Sequence, residues 1–346
     1  MTEASAPAKL ILCGEHAVVY GRPAIAGPLG GIRARVAIDP APPGSGITFD
    51  APDIGRRWSL AAAPDEPLSA LAVRVCRELG VAPPDVRVSI NSPIPIAGGM
   101  GSGAAVATAL VRALAAHLGY ELAPEIVAAL VYESERRLHG TPSGIDNTVI
   151  AFERPIWFVR QPTADSGWKP GIGNREPGAE NEDPWRIDTQ HATRRMPQAT
   201  IEPIAIATPL TLLIGDTGVR SATRLPVGAV RQGWQADPAH YEVLFDQIGA
   251  LVWRARAALA QGAVVQLGAL LDQNHALLQQ IGVSSPELDR LVEAARAAGA
   301  LGAKLSGAGW GGVMLALVAP QTRERVRAAL AAAGATQVLE TTIGPS

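Results

Sequence analysis

The sequence predicts an α+β protein of two lobes, and three observations support this. The 346-residue chain is long enough for two domains or one large domain. Its first half interleaves alternating apolar strands with amphipathic helices, whereas its second half reads as helical hairpins followed by strands. An aperiodic stretch over 161–199, rich in proline, glycine and charged residues, separates the two halves. We therefore expect domains over 1–204 and 205–346.

The elements of the first half follow from local patterns and from their bounding glycines and prolines. We expect a strand, a turn and a short second strand over 9–19, a strand over 32–38, a helix over 67–79, a strand over 86–90, a helix from 104, a helix over 124–140, and a turn followed by an apolar strand over 140–152. The segment 161–199 is an irregular insertion, of a length that favours a binding segment, a cover or disorder.

The second half is predicted in the same way. We expect a strand over 205–214, helices over 241–260, 263–280 and 286–298, a glycine-rich turn over 302–312, a strand VMLALV, a helix over 321–333 and a strand over 336–342. Ser284 or Ser285 caps the third of the four helices, with Pro286 in its first turn.

The stretch PIPIAGGMGSGAAVATALVRALAA, over 93–116, combines a glycine loop with a helical pattern. Pro93 and Pro95 favour an extended lead-in, and the glycines that follow permit positive φ and close approach of a ligand. A glycine loop at a helix N-terminus presents unpaired N–H groups and the positive end of the helix dipole. The stretch therefore suits phosphate binding.

Other interpretations of this stretch fit less well. The uncharged run 88–111 is long enough to cross a bilayer, but its prolines and glycines would break such a helix. The dinucleotide and P-loop glycine patterns cannot be aligned with it. The hydrolase pattern G-x-S-x-G fails because Met100 lies two positions before Ser102. A purely structural glycine turn remains the alternative.

Composition excludes several classes of partner. The net charge of −2 gives no reason to expect nucleic acid or an anionic membrane. The N-terminus lacks the basic region of a signal peptide. Cys13 and Cys76 form no disulfide framework or zinc pattern, so we expect the protein to lie in the reducing environment of the cytoplasm. Only three of the thirty basic residues are lysines. A lysine at position 9, in an apolar strand, therefore indicates a need for a compact ammonium group.

Three segments occur in a fixed order: APAKLILCGEHAVVYG, PIAGGMGSGAA and KLSGAGWGG. This trio resembles the GHMP kinase superfamily over nearly the whole chain. The segments GEHAVVYG, HGTPSGIDN and the run from NHALL to SGAG narrow the resemblance to the mevalonate kinase family. The resemblance implies a ribosomal protein S5 domain 2-like N-terminal domain, with a left-handed βαβ crossover, and a ferredoxin-like C-terminal domain. It places the active site between them.

The resemblance implies ATP-dependent phosphorylation of mevalonate to mevalonate 5-phosphate, with positioning and charge neutralisation as the main catalytic devices. Asp146 matches the catalytic aspartate that accepts the hydroxyl proton. Lys9 matches the catalytic lysine, placed near Asp146, which balances developing negative charge. Taken alone, Asp146 would be a turn-capping residue and Lys9 a strand-edge residue.

The remaining site residues are also implied by the resemblance. ATP-binding positions are Gly98, Gly99, Met100, Gly101, Ser102, Gly103, Ala104, Gly307, Ala308 and Gly309. Positions in contact with mevalonate are Glu15, His16, Ser143 and Thr223, where His16 with Arg or Lys partners meets the carboxylate and the hydroxyls donate hydrogen bonds. Glu135 matches the Mg²⁺-binding glutamate. Its neighbour Glu133 is turned about 200° away on the same helix. For Glu135, a position on a solvated helix face is the alternative.

Two features depart from the family. Its central loop usually reads G-L-G-S-S-A, with the second serine touching the metal, and here Gly103 replaces that serine. Ser102 substitutes, a water fills the position, or the metal binds less tightly. The stretch 161–199 is longer than the usual connection. A kinase acting on another small alcohol, such as phosphomevalonate or a sugar, and a non-catalytic metabolite-sensing relative remain alternatives. The family habit is a homodimer.

Overall fold

The computed structural model describes residues 1–96, 98–139, 143–160 and 199–344, with the backbone alone for 137–139. Its strands form two sheets, one from each half of the chain. The irregular segment predicted over 161–199 lies outside the described residues, apart from Ala199 at its end.

The first sheet consists of the N-terminal strands. These are β1 (Thr2–Cys13), β2 (Pro23–Pro40), β3 (Ile47–Ala51), β4 (Arg56–Ser59), β5 (Val86–Asn91), β6 (Ile156–Arg160) and β7 (Ala199–Pro203). The order is β4-β3-β5-β2-β6-β7, with β1 paired to β2. Strands β3 and β5 are parallel and connected through β4 and a helix, while the other pairs are antiparallel. The last eight residues of β1 are buried, so Lys9 lies in the interior of the protein.

The helices of the first half are α1 (Pro67–Glu78), α2 (Ser102–His117), α3 (Pro124–His139) and α4 (Ile145–Phe152). Helix α2 packs on β1, β2, α1 and α3, and most of its side chains are buried. This packing explains the uncharged run of the sequence, since a helix that is apolar all round belongs in a protein core. Within the described ranges, no helix has the length and hydropathy needed to cross a membrane.

Two predicted elements of the first half are wrong. The short second strand expected before residue 19 is a 3₁₀ helix over Ala17–Tyr20. The apolar strand expected after residue 144 is helix α4. Its β-branched residues favour a strand locally, but Gly144 adopts a left-handed φ of 94° that starts the helix, and α4 is buried against α2 and α3. Tertiary packing therefore overrides local preference here.

The second sheet has the ferredoxin-like arrangement that the resemblance implied. Its strands are β8 (Leu210–Asp216), β9 (Gly302–Ser306), β10 (Val313–Val318) and β11 (Gln337–Ile343), in the antiparallel order β11-β8-β10-β9. Helices α5 (Arg224–Ala236), α6 (Pro238–Gln261), α7 (Val264–Ile281) and α8 (Pro286–Ala297) connect β8 to β9, and α9 (Arg323–Ala332) connects β10 to β11. Helix α5 was not predicted. Ser285 caps α8, accepting a hydrogen bond from Leu288 N.

Candidate active site

Strand β1 and helix α4 bring together two residues that are far apart in the sequence. Lys9 Nζ lies 2.9 Å from Asp146 Oδ1, with the lysine side chain 4% exposed and the aspartate side chain 30% exposed. Asp146 occupies the first turn of α4, where the helix dipole favours a negative charge. The carboxylate is thus held by a buried ammonium group while it remains accessible from outside.

Glu135 lies beside this pair, near the end of α3, and is buried. Burial, and then the negative charge of Asp146, raise the pKa of Glu135 to about 8, against the opposing effect of Lys9. Glu133 lies on another face of α3, where its carboxylate accepts a hydrogen bond of 3.2 Å from Arg74. The helical spacing predicts this separation. The carboxyl groups of Asp146 and Glu135 therefore lie close together beside the Lys9 ammonium group.

The first glycine loop ends at Gly101, which adopts a left-handed φ of 71° and caps α2. The bond from Ala105 N to Gly101 O, 2.9 Å, closes the first turn. The N–H groups of Ser102, Gly103 and Ala104 consequently have no acceptor within the helix. A Cβ added at Gly101 would lie 3.0 Å from Lys9 Cγ, so the loop and the lysine are in contact.

Met100 contributes to this arrangement through its backbone. Its carbonyl accepts a hydrogen bond of 3.0 Å from Lys9 N, and its side chain is fully buried in the core. The hydroxyl of Ser102 donates to Ile94 O at 3.3 Å, which leaves its lone pairs available.

The second glycine loop, over 307–312, connects β9 to β10 and approaches the first loop backbone to backbone. A Cβ at Gly99 would lie 3.0 Å from Ser306 O, and a Cβ at Gly312 would lie 2.9 Å from Gly98 O. A Cβ at Gly309 would lie only 2.0 Å from Val283 O. Glycine is required for this close approach. The predicted ATP-binding positions of the two lobes therefore adjoin one another.

His16 sits in a strained turn that contacts the second loop. Its φ of 59° and ψ of −53°, with a 2.6 Å bond from Ala17 N to Glu15 O, form a γ-turn of the rare positive-φ kind. Such conformations cost about 1–3 kcal/mol and occur mainly where surrounding contacts impose them. His16 Nε2 lies 2.9 Å from Ala308 O and must carry a proton to donate to it. Burial lowers the pKa of His16 to about 4, so at neutral pH it offers a hydrogen bond rather than a positive charge.

The other predicted substrate residues are placed differently. Glu15 is buried and forms an ion pair with Lys304. Burial raises its pKa, although Lys304 opposes the shift. Ser143 is half-buried, and its hydroxyl accepts a hydrogen bond of 3.3 Å from Ile145 N. Thr223 is exposed at the N-terminal end of α5.

Oxygen donors at this site fit Mg²⁺. In the part of the chain that the structure describes, no three or more His, Cys, Asp or Glu side chains group into a metal cage. Magnesium rarely needs such a cage, because it is usually held by one or two carboxylates together with substrate phosphates. The Glu135 carboxylate and the Ser102 hydroxyl are donors of this type.

Comparison with known proteins decides the family. The model for "GHMP kinases N terminal domain" matches residues 67–153, and that for "GHMP kinases C terminal" matches 255–336. The mevalonate kinase of Thermococcus onnurineus is 35% identical, over 97% of this chain and 94% of its own length. This chain belongs to the mevalonate kinase family. The family member of Pyrococcus horikoshii is also 35% identical, over 96% of this chain and 92% of its own.

A solved family structure is similar throughout. The L. major mevalonate kinase, in complex with R-mevalonate, superposes with a TM-score of 0.78 at 28% identity, covering 100% of this chain and 97% of its own. The mevalonate kinase fold thus extends over both sheets described above.

Several polar residues around the second loop were not predicted. Thr217 Oγ1 donates to Gly312 O at 2.8 Å, and Asp216 receives two hydrogen bonds from Arg220, of 2.7 and 2.8 Å. Lys304 and Asn274 contact the turn that carries His16. One signal was available for Lys304, which is one of only three lysines and lies in an apolar strand. The others make contacts that short-range patterns do not reveal.

Proposed function

We propose that this chain transfers the terminal phosphoryl group of ATP to the primary hydroxyl of mevalonate, giving mevalonate 5-phosphate. The observation that carries the proposal is the pairing of Lys9 with Asp146 at 2.9 Å, next to a glycine loop at a helix N-terminus, in a member of the mevalonate kinase family.

The mechanism follows from the positions of these groups. The free N–H groups at the start of α2 bind the phosphates of ATP. Asp146 accepts the proton of the substrate hydroxyl during the transfer. Lys9 holds the Asp146 carboxylate in position through their 2.9 Å ion pair and stabilises the negative charge that develops on the attacking oxygen. Because the transition state is loose, this alignment and neutralisation account for most of the rate enhancement.

Magnesium is part of this proposal. Glu135 and Ser102 would hold the ion, with Gly103 contributing no hydroxyl. When bound, Mg²⁺ neutralises the β- and γ-phosphates. The raised pKa of Glu135 supports this role. Burial and the nearby charge of Asp146 disfavour the ionised form of Glu135, and a bound cation would stabilise that form.

Phosphomevalonate carries a phosphate group in addition to the carboxylate of mevalonate, so its binding would require more positive charge in the site. Lys304 is neutralised by Glu15, and Arg220 is neutralised by the two-point contact with Asp216. These two cations are therefore engaged before substrate binds, which disfavours phosphomevalonate. His16, Ser143 and Thr223 remain our candidates for hydrogen bonds to mevalonate.

A coupled assay of ADP release tests the proposal. We expect turnover that requires mevalonate and is absent with phosphomevalonate, galactose or water alone as acceptor. Stimulation by another alcohol alone would assign a different substrate, and no stimulation by any alcohol would contradict the kinase assignment.

Three broader expectations accompany the proposal. The domain division at 204/205 is supported by the end of β7 at Pro203 and the start of β8 at Leu210. A homodimer and a cytoplasmic location are carried over from the family resemblance and the cysteine content. Light scattering on the purified protein tests the dimer, and expression of 1–204 alone tests the division.

A further inference from the structure

The segment 11–16, which comprises the last residues of β1 and the turn that follows, contacts the C-terminal lobe at four points. Ser306 Oγ accepts a hydrogen bond from Ile11 N at 3.2 Å and donates one to Ile11 O at 3.1 Å. Gly14 N donates to Asn274 Oδ1 at 3.4 Å. The other two ties are the contact of His16 with Ala308 O and the ion pair between Glu15 and Lys304.

The ion pair between Glu15 and Lys304 is deeply buried. The side chains of Lys304 and Glu15 are 0% and 1% exposed. Lys304 Nζ donates to Glu15 and also to Leu305 O at 2.5 Å, so its charge is directed at one carboxylate and one carbonyl. A buried ion pair of this kind is a poor source of stability, because desolvation offsets the attraction. Fixing one arrangement of the two lobes is a more plausible role for it.

The position of the pair indicates which arrangement it fixes. Glu15 directly precedes His16, whose γ-turn requires outside contacts to persist. Lys304 lies three residues before Gly307, where the second glycine loop begins. The same β1 strand carries Lys9 six residues before Glu15. A shift at the ion pair would therefore displace His16, the second loop and the end of the strand that bears the Lys9 ammonium.

We propose that Lys304 is a positioning residue for the phosphoryl transfer: through its buried ion pair with Glu15 it holds the His16 turn against the second glycine loop. Lys304 touches neither the nucleotide nor the acceptor in this account. The inference rests on the proposed function, since it assigns the pair a purpose in that reaction.

Four variants test the inference: Lys304→Met, Glu15→Gln, the double variant, and Arg22→Met as a matched control. Arg22 also joins the two lobes, 2.8 Å from Asp246, but its own side chain is 7% exposed whereas that of Asp246 is 64% exposed, so this ion pair is open to solvent. The measurements are the thermal unfolding midpoint, kcat and KM for each substrate, and hydrogen exchange of the amides over 307–312 in the ligand-free protein.

We expect Lys304→Met to lower both stability and turnover, because it leaves the Glu15 charge buried and alone. The double variant removes both charges, so its unfolding midpoint should return towards the wild-type value while kcat/KM for mevalonate stays at least about tenfold lower. Its loss of turnover should match that of the single variants rather than their product, as for residues that act as a unit. Exchange over 307–312 should be faster in the double variant. Arg22→Met should affect stability alone.

If the double variant recovered both turnover and stability, the inference would be overturned. The two residues would then serve only to neutralise each other's buried charge. The inference would also be overturned if the loss of turnover in the double variant equalled the product of the two single losses, because Glu15 would then act independently of Lys304. Unchanged exchange over 307–312 would have the same consequence. If the wild-type protein shows no mevalonate-dependent turnover, the proposed function fails by itself, and the exchange measurement still decides whether the pair positions the loop.

Discussion

Two lysine–carboxylate pairs flank the end of β1, and they differ in their access to solvent. Lys9 pairs with Asp146, whose side chain is 30% exposed. Lys304 pairs with Glu15, and the side chains of both are almost completely buried. The first pair has a further carboxylate beside it, that of Glu135. The second is balanced, one charge against one. We call them the open pair and the sealed pair.

The difference shows how one chemical pairing serves two purposes. In the open pair, the accessible carboxylate of Asp146 can reach a ligand, and the neighbouring Glu135 carboxyl is the cation ligand that we propose. In the sealed pair, neither group can reach a ligand, and its charges stabilise only each other. The following predictions test whether chemistry is confined to the open pair.

The largest effect is expected at Asp146. Asp146→Asn keeps the shape but removes the charge and the proton acceptor, so kcat should fall by about two orders of magnitude or more. Affinity for ATP, measured by calorimetry, should change little. Asp39→Asn, on the outer part of β2, is the control and should retain full turnover. Near-normal turnover of Asp146→Asn would make Asp146 a structural residue.

Glu135→Gln should raise the Mg²⁺ concentration needed for the half-maximal rate by about tenfold or more, because an amide cannot become the charged carboxylate that the ion would bind after displacing the Glu135 proton. Titrating the rate with Mg²⁺ at saturating ATP measures this. Glu133→Gln is a matched control on the same helix, facing Arg74. Equal effects of the two variants would remove Glu135 from the site.

The pH dependence of stability should report the same carboxylate. The folded pKa of Glu135, about 8, lies above its ordinary value of 4.5, so the folded state binds the proton more tightly. The stabilisation that this proton uptake gives the folded state is fully present below pH 4.5 and is lost as the pH rises through about 8. In ligand-free protein, the unfolding free energy of the wild type relative to Glu135→Gln should fall by up to about 1.4 kcal/mol per pH unit across this window. Urea unfolding at pH 5, 6.5 and 8 measures it, and a constant difference would contradict the shift.

The smallest effect concerns the missing hydroxyl of the first loop. Gly103→Ser should lower the Mg²⁺ requirement roughly two- to fivefold, as one additional neutral oxygen contact contributes about 0.5–1 kcal/mol. Gly103→Ala adds the same Cβ without the hydroxyl and is the control. If serine and alanine behave alike, Ser102 or a water already fills that position.

Local sequence patterns were sufficient to predict most of the loops, strands and helices that surround the open pair. The glycine loop leading into α2, the apolar strand around Lys9 and the bounds of α1, α3 and α8 depend on residues close together in the chain. The separation of Glu133 from Glu135 follows from helical periodicity alone. The convergence of Lys9 and Asp146, however, was expected only through the family resemblance, and α4, the helix bearing Asp146, was expected to be a strand.

Local sequence patterns therefore account for the individual helices, strands and loops and for the types of side chain that each one carries. Packing of the whole chain brings the separate groups together: 145–152 form a helix, Glu15 is buried against a lysine 289 residues away, and His16 contacts the second loop. The physical reason is that propensity and periodicity act over a few residues, whereas desolvation of a charge depends on everything packed around it.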